Sequence, residues 1–197
     1  MANRVNRRDW VITASQNHLH RRSRLIQTKR IHLDGRVVFD VDVQVDASAA
    51  PVQIGYQSMV MCGTLLATST LSIKPGVVQR TPLRMGSYCI VERDCKVMAA
   101  SIGSYVHIEA NVSIGQRVMI GDACRILASS VVADDTVIPS FSIVAGSPGR
   151  LQMFGEFDMK KMTSNIIRSS SYRRVATFIS NGMGEALSSV LSKSFSI

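Results

Sequence analysis

Every sixth residue from 102 onward is isoleucine or valine: Ile102, Ile108, Ile114, Ile120, Ile126, Val132, Ile138, Val144. These two types fill 39 of 197 positions, about one in five. Eight in succession has a chance of roughly 10⁻⁶ at a chosen start. A second column stands two residues before each member of the first and holds small or β-branched side chains: Ala100, Val106, Val112, Val118, Cys124, Ser130, Thr136, Ser142. Glycine follows the large residue at Gly103, Gly115 and Gly121.

A helix repeats every 3.6 residues and a strand every 2, so neither explains a period of six. A triangular solenoid does. Each hexad supplies a short strand and a corner, three hexads make an eighteen-residue coil, and stacked coils bury the large column along the axis. The predicted fold is therefore all-β, a left-handed parallel β-helix of the hexapeptide-repeat kind.

The register extends backward with slips. Met85, Val91 and Val97 form one run, with Cys89 and Cys95 in the small column, and only five residues separate Val97 from Ile102, which demands a tighter corner. Ile54, Val60 and Leu66 form another, preceded by Val52, Ser58 and Thr64. Residues 73–84 carry two prolines and three charges and are expected to project as a loop. The solenoid is predicted over 31–150, opening with the β-rich stretch 31–45. It follows a basic N-terminal arm, 1–30. Beyond Gly149, apolar residues from Met159 to Phe178 recur at helical spacing between Lys160, Lys161, Arg168, Arg173 and Arg174, predicting a C-terminal amphipathic α-helix over 151–180 that packs on a solenoid face. Residues 181–197 are read as a tail.

Charge follows the same division. The net +9 divides into +7 for residues 1–36, −1 for 37–150 and +3 for 151–197. Basicity therefore belongs to the ends. The cluster Arg21, Arg22, Arg24, Lys29, Arg30 lacks the interleaved aromatics of a single-strand stacking platform, so nucleic acid is not an expected partner and a solvated or protein-facing segment is preferred. Residues 47–73 are uncharged, but Pro51, Gly55, Gly63, two glutamines and many Ser/Thr argue against a membrane span. No apolar leader follows Met1, and the four cysteines form no Cys-x-x-Cys pair, so reduced thiols in an intracellular compartment are expected.

Catalysis on this scaffold requires histidine, either as zinc ligands, as in γ-class carbonic anhydrases, or as a base, as in hexapeptide acyltransferases. When the chain is aligned on Cys89 to Gly103, the anhydrase ligand positions fall on Arg93 and Met98, so no zinc, other metal or cofactor is expected. His107, just before the inward Ile108, should point outward from the wall; alone it is read as a surface residue, with an acyltransferase base as the alternative. Asp134 and Asp135 are read as turn residues. Cys89, Cys95 and Cys124 are read as core fillers.

Particular stretches carry more than the repeat. Ala-Ser-Ile-Gly-Ser-Tyr-Val-His-Ile (100–108), Cys-Arg-Ile-Leu (124–127), Val-Ile-Pro-Ser-Phe-Ser-Ile-Val-Ala-Gly-Ser-Pro-Gly (137–149), Trp-Val-Ile-Thr-Ala-Ser (10–15) and Leu-Asp-Gly-Arg (33–36) resemble the dynactin subunit 5 family, over about residues 10–180. The stretch 73–84 is shorter and less aromatic than that family's loop. The resemblance implies a noncatalytic, cytoplasmic, cytoskeleton-associated subunit of dynactin's pointed end that supports dynein-based transport. Its implied partners are a sister β-helix subunit, an actin-related protein, a larger zinc-bearing subunit and cargo adaptors. Candidate partner-binding residues are Lys74, Arg80 and Arg84 of the loop, Tyr105 and His107 of the wall, and Arg21, Arg22 and Arg24 of the arm. The alternative function is a divergent γ-carbonic-anhydrase-like enzyme or hexapeptide acyltransferase.

Overall fold

The computed structural model describes residues 9–74 and 77–152. Very short strands stack into three parallel faces. The first face carries His18–His20, Val38–Phe39, Met59–Val60, Ile90–Val91, His107–Ile108, Arg125–Ile126 and Ile143–Ala145. The second carries Arg24–Ile26, Gln44–Asp46, Leu65–Ala67, Lys96–Val97, Ser113–Ile114 and Val131–Val132. The third carries Ile31–Leu33, Val52–Ile54, Leu83–Met85, Ser101–Ile102, Met119–Ile120 and Val137–Ile138. The chain visits the faces in turn, which makes six coils of a parallel β-solenoid, as the six-residue period predicts.

The inward column of each face is the large column of the sequence. Ile108, Ile114 and Ile126 are fully buried, and Val106, Val112, Val118, Cys124 and Ser130 of the small column are buried with them. Polar members of the small column find carbonyl partners one coil on: Ser58 Oγ donates to Gly86 O (3.1 Å) and Thr64 Oγ1 to Glu92 O (2.7 Å). The cysteines behave alike, Cys89 Sγ donating to Gly103 O and Cys95 Sγ to Glu109 O, both at 3.0 Å. Burial pushes the Cys89 thiol up to about 12 and the Cys95 thiol to about 11, which suits core packing and not nucleophilic chemistry.

Corners turn through the left-handed region, with φ near +60° at Tyr88, Asp94, Tyr105, Asn111, Arg117, Asp135 and Phe141. The N–H groups of Tyr88, Asp94, Tyr105, Asn111, Asp135 and Phe141 donate to the coil before, as in Asn111 N to Arg93 O at 3.0 Å. Coils approach closely enough that a Cβ on Gly103 would lie 2.7 Å from the backbone of Gly121 and Asp122, which explains the Ile-Gly corners. Register advances 18 residues from Ile102 to Ile120 and from Ile120 to Ile138, but 17 from Met85 to Ile102. No left-handed residue occurs at 98–100, so the shortened hexad is absorbed by a corner without that turn.

Three expectations are corrected. The solenoid begins at His18 and not near Ile31. Residues 18–26 pair in parallel with the second coil, through Leu19 with Phe39 and Leu25 with Val45, so the basic stretch is the first coil and not an arm. The insertion is a β-hairpin, Ser69–Lys74 paired antiparallel with Val77–Thr81, while Leu83–Met85 already belongs to the third face. Alternating Thr, Leu, Val and Gln on either side of Pro75-Gly76 favours strands there over an irregular loop. Leu151 and Gln152, assigned in advance to the C-terminal helix, belong to a strand, Arg150–Gln152, that pairs antiparallel with Ile143–Ala145. Trp10–Ile12 does the same for His18–His20. Antiparallel strands thus cover both edges of the first face, where an open solenoid is most exposed to unwanted pairing. The rest of the predicted helix and the tail lie outside the described residues.

Candidate interaction surfaces

The outward column of the first face reads His18, Val38, Met59, Ile90, His107, Arg125, Ile143. It is more apolar and more buried than either other wall: Val38, Met59 and His107 are all buried, whereas Lys96 on the second face and Gln53 and Arg84 on the third are exposed. His107 Nε2 sits 3.0 Å from Glu92 Oε1. The hydrogen bond from His107 is the main cause that holds the Glu92 carboxyl below its ordinary value. His107 Nδ1 is buried with no hydrogen-bond partner. One coil on, Arg125 Nε donates to Glu109 Oε1 at 2.7 Å, and Glu109 Oε2 accepts the Ala128 N–H at 2.9 Å. The wall therefore carries a polar pair of pairs in an apolar setting. His107 points outward as its register requires, but it is 5% exposed and not a surface side chain.

The other candidates are distributed and do not form one site. Lys74 and Arg80 lie on the hairpin, between the second and third faces, and Arg80 is exposed. Arg84 is exposed on the third face between Gln53 and Ser101. Arg22 bridges to Asp42 of the second coil through Nη2–Oδ2 at 2.6 Å, and Arg24 opens the second face, exposed. Arg21 occupies the same first-coil corner, its N–H bonded to Asp9 O at 2.8 Å. Arg93 is exposed at the corner between the first and second faces, and Met98 is half-buried between the second and third. Among the described residues no three His, Cys, Asp or Glu groups converge as a metal site. No helix among them is long and apolar enough to cross a membrane.

Tyr105 turns out to belong to a ladder. At the corner between third and first faces, Tyr88 and Tyr105 stack with centroids 4.9 Å apart and planes 10° from parallel. Tyr56 meets Tyr88 edge-on at 6.4 Å, and the Arg36 guanidinium lies 5.6 Å from the Tyr56 centroid. Tyr88 N–H bonds to Tyr56 O and Tyr105 N–H to Ser87 O, both at 2.9 Å, so the backbone holds the rings one above another. The sequence held a signal for this: Tyr88, Tyr105 and Phe141 each immediately precede a small-column residue, Cys89, Val106 and Ser142.

The architecture defines the class, a hexapeptide-repeat β-solenoid. It is similar to a GDP-perosamine N-acetyltransferase variant from Caulobacter crescentus (17% identity, TM-score 0.56, covering 70% of this chain and 57% of that one). It is also similar to a hexapeptide transferase family protein from Anaplasma phagocytophilum (11%, TM-score 0.53, 86% and 93%) and to an N-acyltransferase variant from Bacillus cereus (11%, TM-score 0.50, 78% and 88%). At such identities the likeness is one of fold. The family model described as dynactin subunit 5 matches residues 3–177, and the chain belongs to that family. Its role is accordingly that of a dynactin subunit.

Proposed function

We propose that the protein is a noncatalytic structural subunit of dynactin's pointed-end complex, cytoplasmic and cytoskeleton-associated, that supports dynein-based cargo transport through protein–protein contacts. Its partners on this reading are a sister β-helix subunit, an actin-related protein, the larger zinc-bearing subunit and cargo adaptors. The family match across residues 3–177 carries the reading. The side-chain chemistry supports it: core cysteines with raised pKa values, and one wall histidine already engaged by a carboxylate.

That pair also motivates the second reading. A histidine bonded to a glutamate on a hexapeptide solenoid is the kind of base an acyltransferase uses. Affinity capture of the tagged full chain from a eukaryotic lysate, with the recovered proteins identified by mass spectrometry, separates the two. Co-recovery of an actin-related protein with other dynactin subunits is expected. Recovery of none, together with acetyl-coenzyme A turnover that His107→Ala abolishes, overturns the structural reading in favour of the enzyme.

A further inference from the structure

Four successive rungs of the third-to-first corner have the sequences Ser87-Tyr88, Ser104-Tyr105, Asp122-Ala123 and Ser140-Phe141. The second residue of each is left-handed, with φ of 60°, 60°, 52° and 62°. The first residue of the upper rungs caps the backbone one coil down: Ser104 Oγ accepts the Ser87 N–H at 3.2 Å, Asp122 Oδ1 the Ser104 N–H at 2.7 Å, and Ser140 Oγ the Asp122 N–H at 2.9 Å. The serines do this as neutral groups. A carboxylate replaces serine only on the rung where the ring is replaced by alanine.

Above Tyr105, then, the ladder lacks one flat group and gains one negative charge. Tyr105 is 45% exposed and Asp122 is exposed beside it. With coils about 4.8 Å apart, one planar group laid on Tyr105 over Ala123 continues the ladder. At the other end the molecule already uses a guanidinium as a rung, Arg36 over Tyr56. We propose that the Asp122–Ala123 rung receives an arginine side chain from a partner protein, its guanidinium flat on the Tyr105 ring and its N–H groups on the Asp122 carboxylate. Arginine fits because it is planar, cationic and able to stack and donate at once; a lysine ammonium satisfies only the charge. The proposal extends the interaction-subunit reading by stating what a partner presents, and it depends only on this corner.

The test is an NMR titration of the full chain with N-acetyl-Gly-Arg-Gly-amide and its citrulline counterpart, which keeps the shape and removes the charge. Saturable shifts of the Ala123 methyl and Tyr105 ring signals are expected with a Kd of about 1–10 mM, the range that one stacked and ion-paired side chain supports. The citrulline peptide should bind at least about fivefold more weakly, as should Tyr105→Ala and Asp122→Asn. Asn keeps the oxygen that caps Ser104, so that variant retains the corner. Ala123→Tyr fills the rung; tyrosine already occupies this backbone conformation at Tyr88 and Tyr105, so the variant should fold and bind no peptide. Equal affinity for the citrulline peptide, binding that survives Ala123→Tyr, or no saturable shift at these residues overturns the proposal. Lysate capture reads assembly and the titration reads the corner, so either can fail without the other.

Discussion

Replacing the adjacent residues Met119 and Ile120 with alanine, one at a time, tests the register of the whole solenoid. Ile120 is 3% exposed and lies between Ile102 and Ile138 in the inward column of the third face. Met119 is its neighbour on the outer side and is 50% exposed. Ile120→Ala removes three carbon groups from a filled core, about 2.4 kcal/mol at about 0.8 kcal/mol each. The cavity left between coils adds about 1 kcal/mol, because the coil above and the coil below are held apart by their own hydrogen bonds. The loss should be about 3–4 kcal/mol, against about 0.5 kcal/mol for Met119→Ala. Urea unfolding followed by far-ultraviolet circular dichroism reads the difference. With a slope of about 2 kcal/mol per molar, the midpoint should fall by about 1.5–2 M for Ile120→Ala and by about 0.3 M for Met119→Ala. A one-residue slip would exchange inside for outside, so comparable losses, or a larger loss at Met119, would refute the assigned register.

Three further outcomes follow from the same geometry. Gly103→Ala should cost about 2 kcal/mol or more by the same unfolding assay, because its Cβ would meet the backbone of the next coil; a neutral effect would mean the coils are not so closely stacked. Glu92, with its pKa lowered chiefly by the His107 hydrogen bond, contributes stability above the unfolded carboxyl value of about 4.3 that is lost as pH falls through the lower folded value. Thermal melts between about pH 6 and pH 3 should therefore fall less steeply for Glu92→Gln than for the parent, and parallel curves would remove the pair's role. Cys89 and Cys95 should resist iodoacetamide at pH 8 in the folded protein and react in urea, as peptide mass spectrometry would show; rapid labelling when folded would contradict their burial.

The solenoid was legible where its coils obey the six-residue rule. Ile102 to Val144 fall where the period puts them, the five-residue step after Val97 marks the tight corner, and the cysteines fill the small column. The first coil also held a six-residue step, Leu19 to Leu25, but only two inward residues precede the slip to Leu33, too few to stand out among the arginines. A short run cannot establish a period, whatever its structure. The hairpin was hidden by Pro and Gly, which mark a turn but do not say whether the flanks pair. The interaction surfaces were least legible. His107 was placed on the correct side of the wall by its register, yet its burial and its bond to Glu92 depend on a residue fifteen positions earlier. Tyr105 was singled out alone because the ladder repeats once per coil, 17 residues on from Tyr88 and 32 from Tyr56 to Tyr88, far outside a local window.

Recasting the basic arm as a coil changes what its charge is for. Arg22 holds Asp42 through two bonds, Nε to Oδ1 at 3.1 Å and Nη2 to Oδ2 at 2.6 Å. Arg30 donates to the Ser48 carbonyl at 3.0 Å, and Arg36 combines its bond to Gln16 (3.0 Å) with its place over Tyr56. Each of these three ties the first coil to its neighbour, where the apolar core has only Leu19, Leu25, Ile31 and Leu33, none fully buried. Guanidinium groups suit the task, since they bridge coils with directed bonds at an end where little apolar area can be buried. Arg22, Arg30 and Arg36 are thus accounted for by structure, and of the arginines singled out for partner contact there, Arg24 stands exposed on the outer side of the second face. A truncation of residues 1–30 would remove most of the first coil along with the charge, so the electrostatic contribution to assembly has to be isolated by neutralising Arg24 and Lys29 in place.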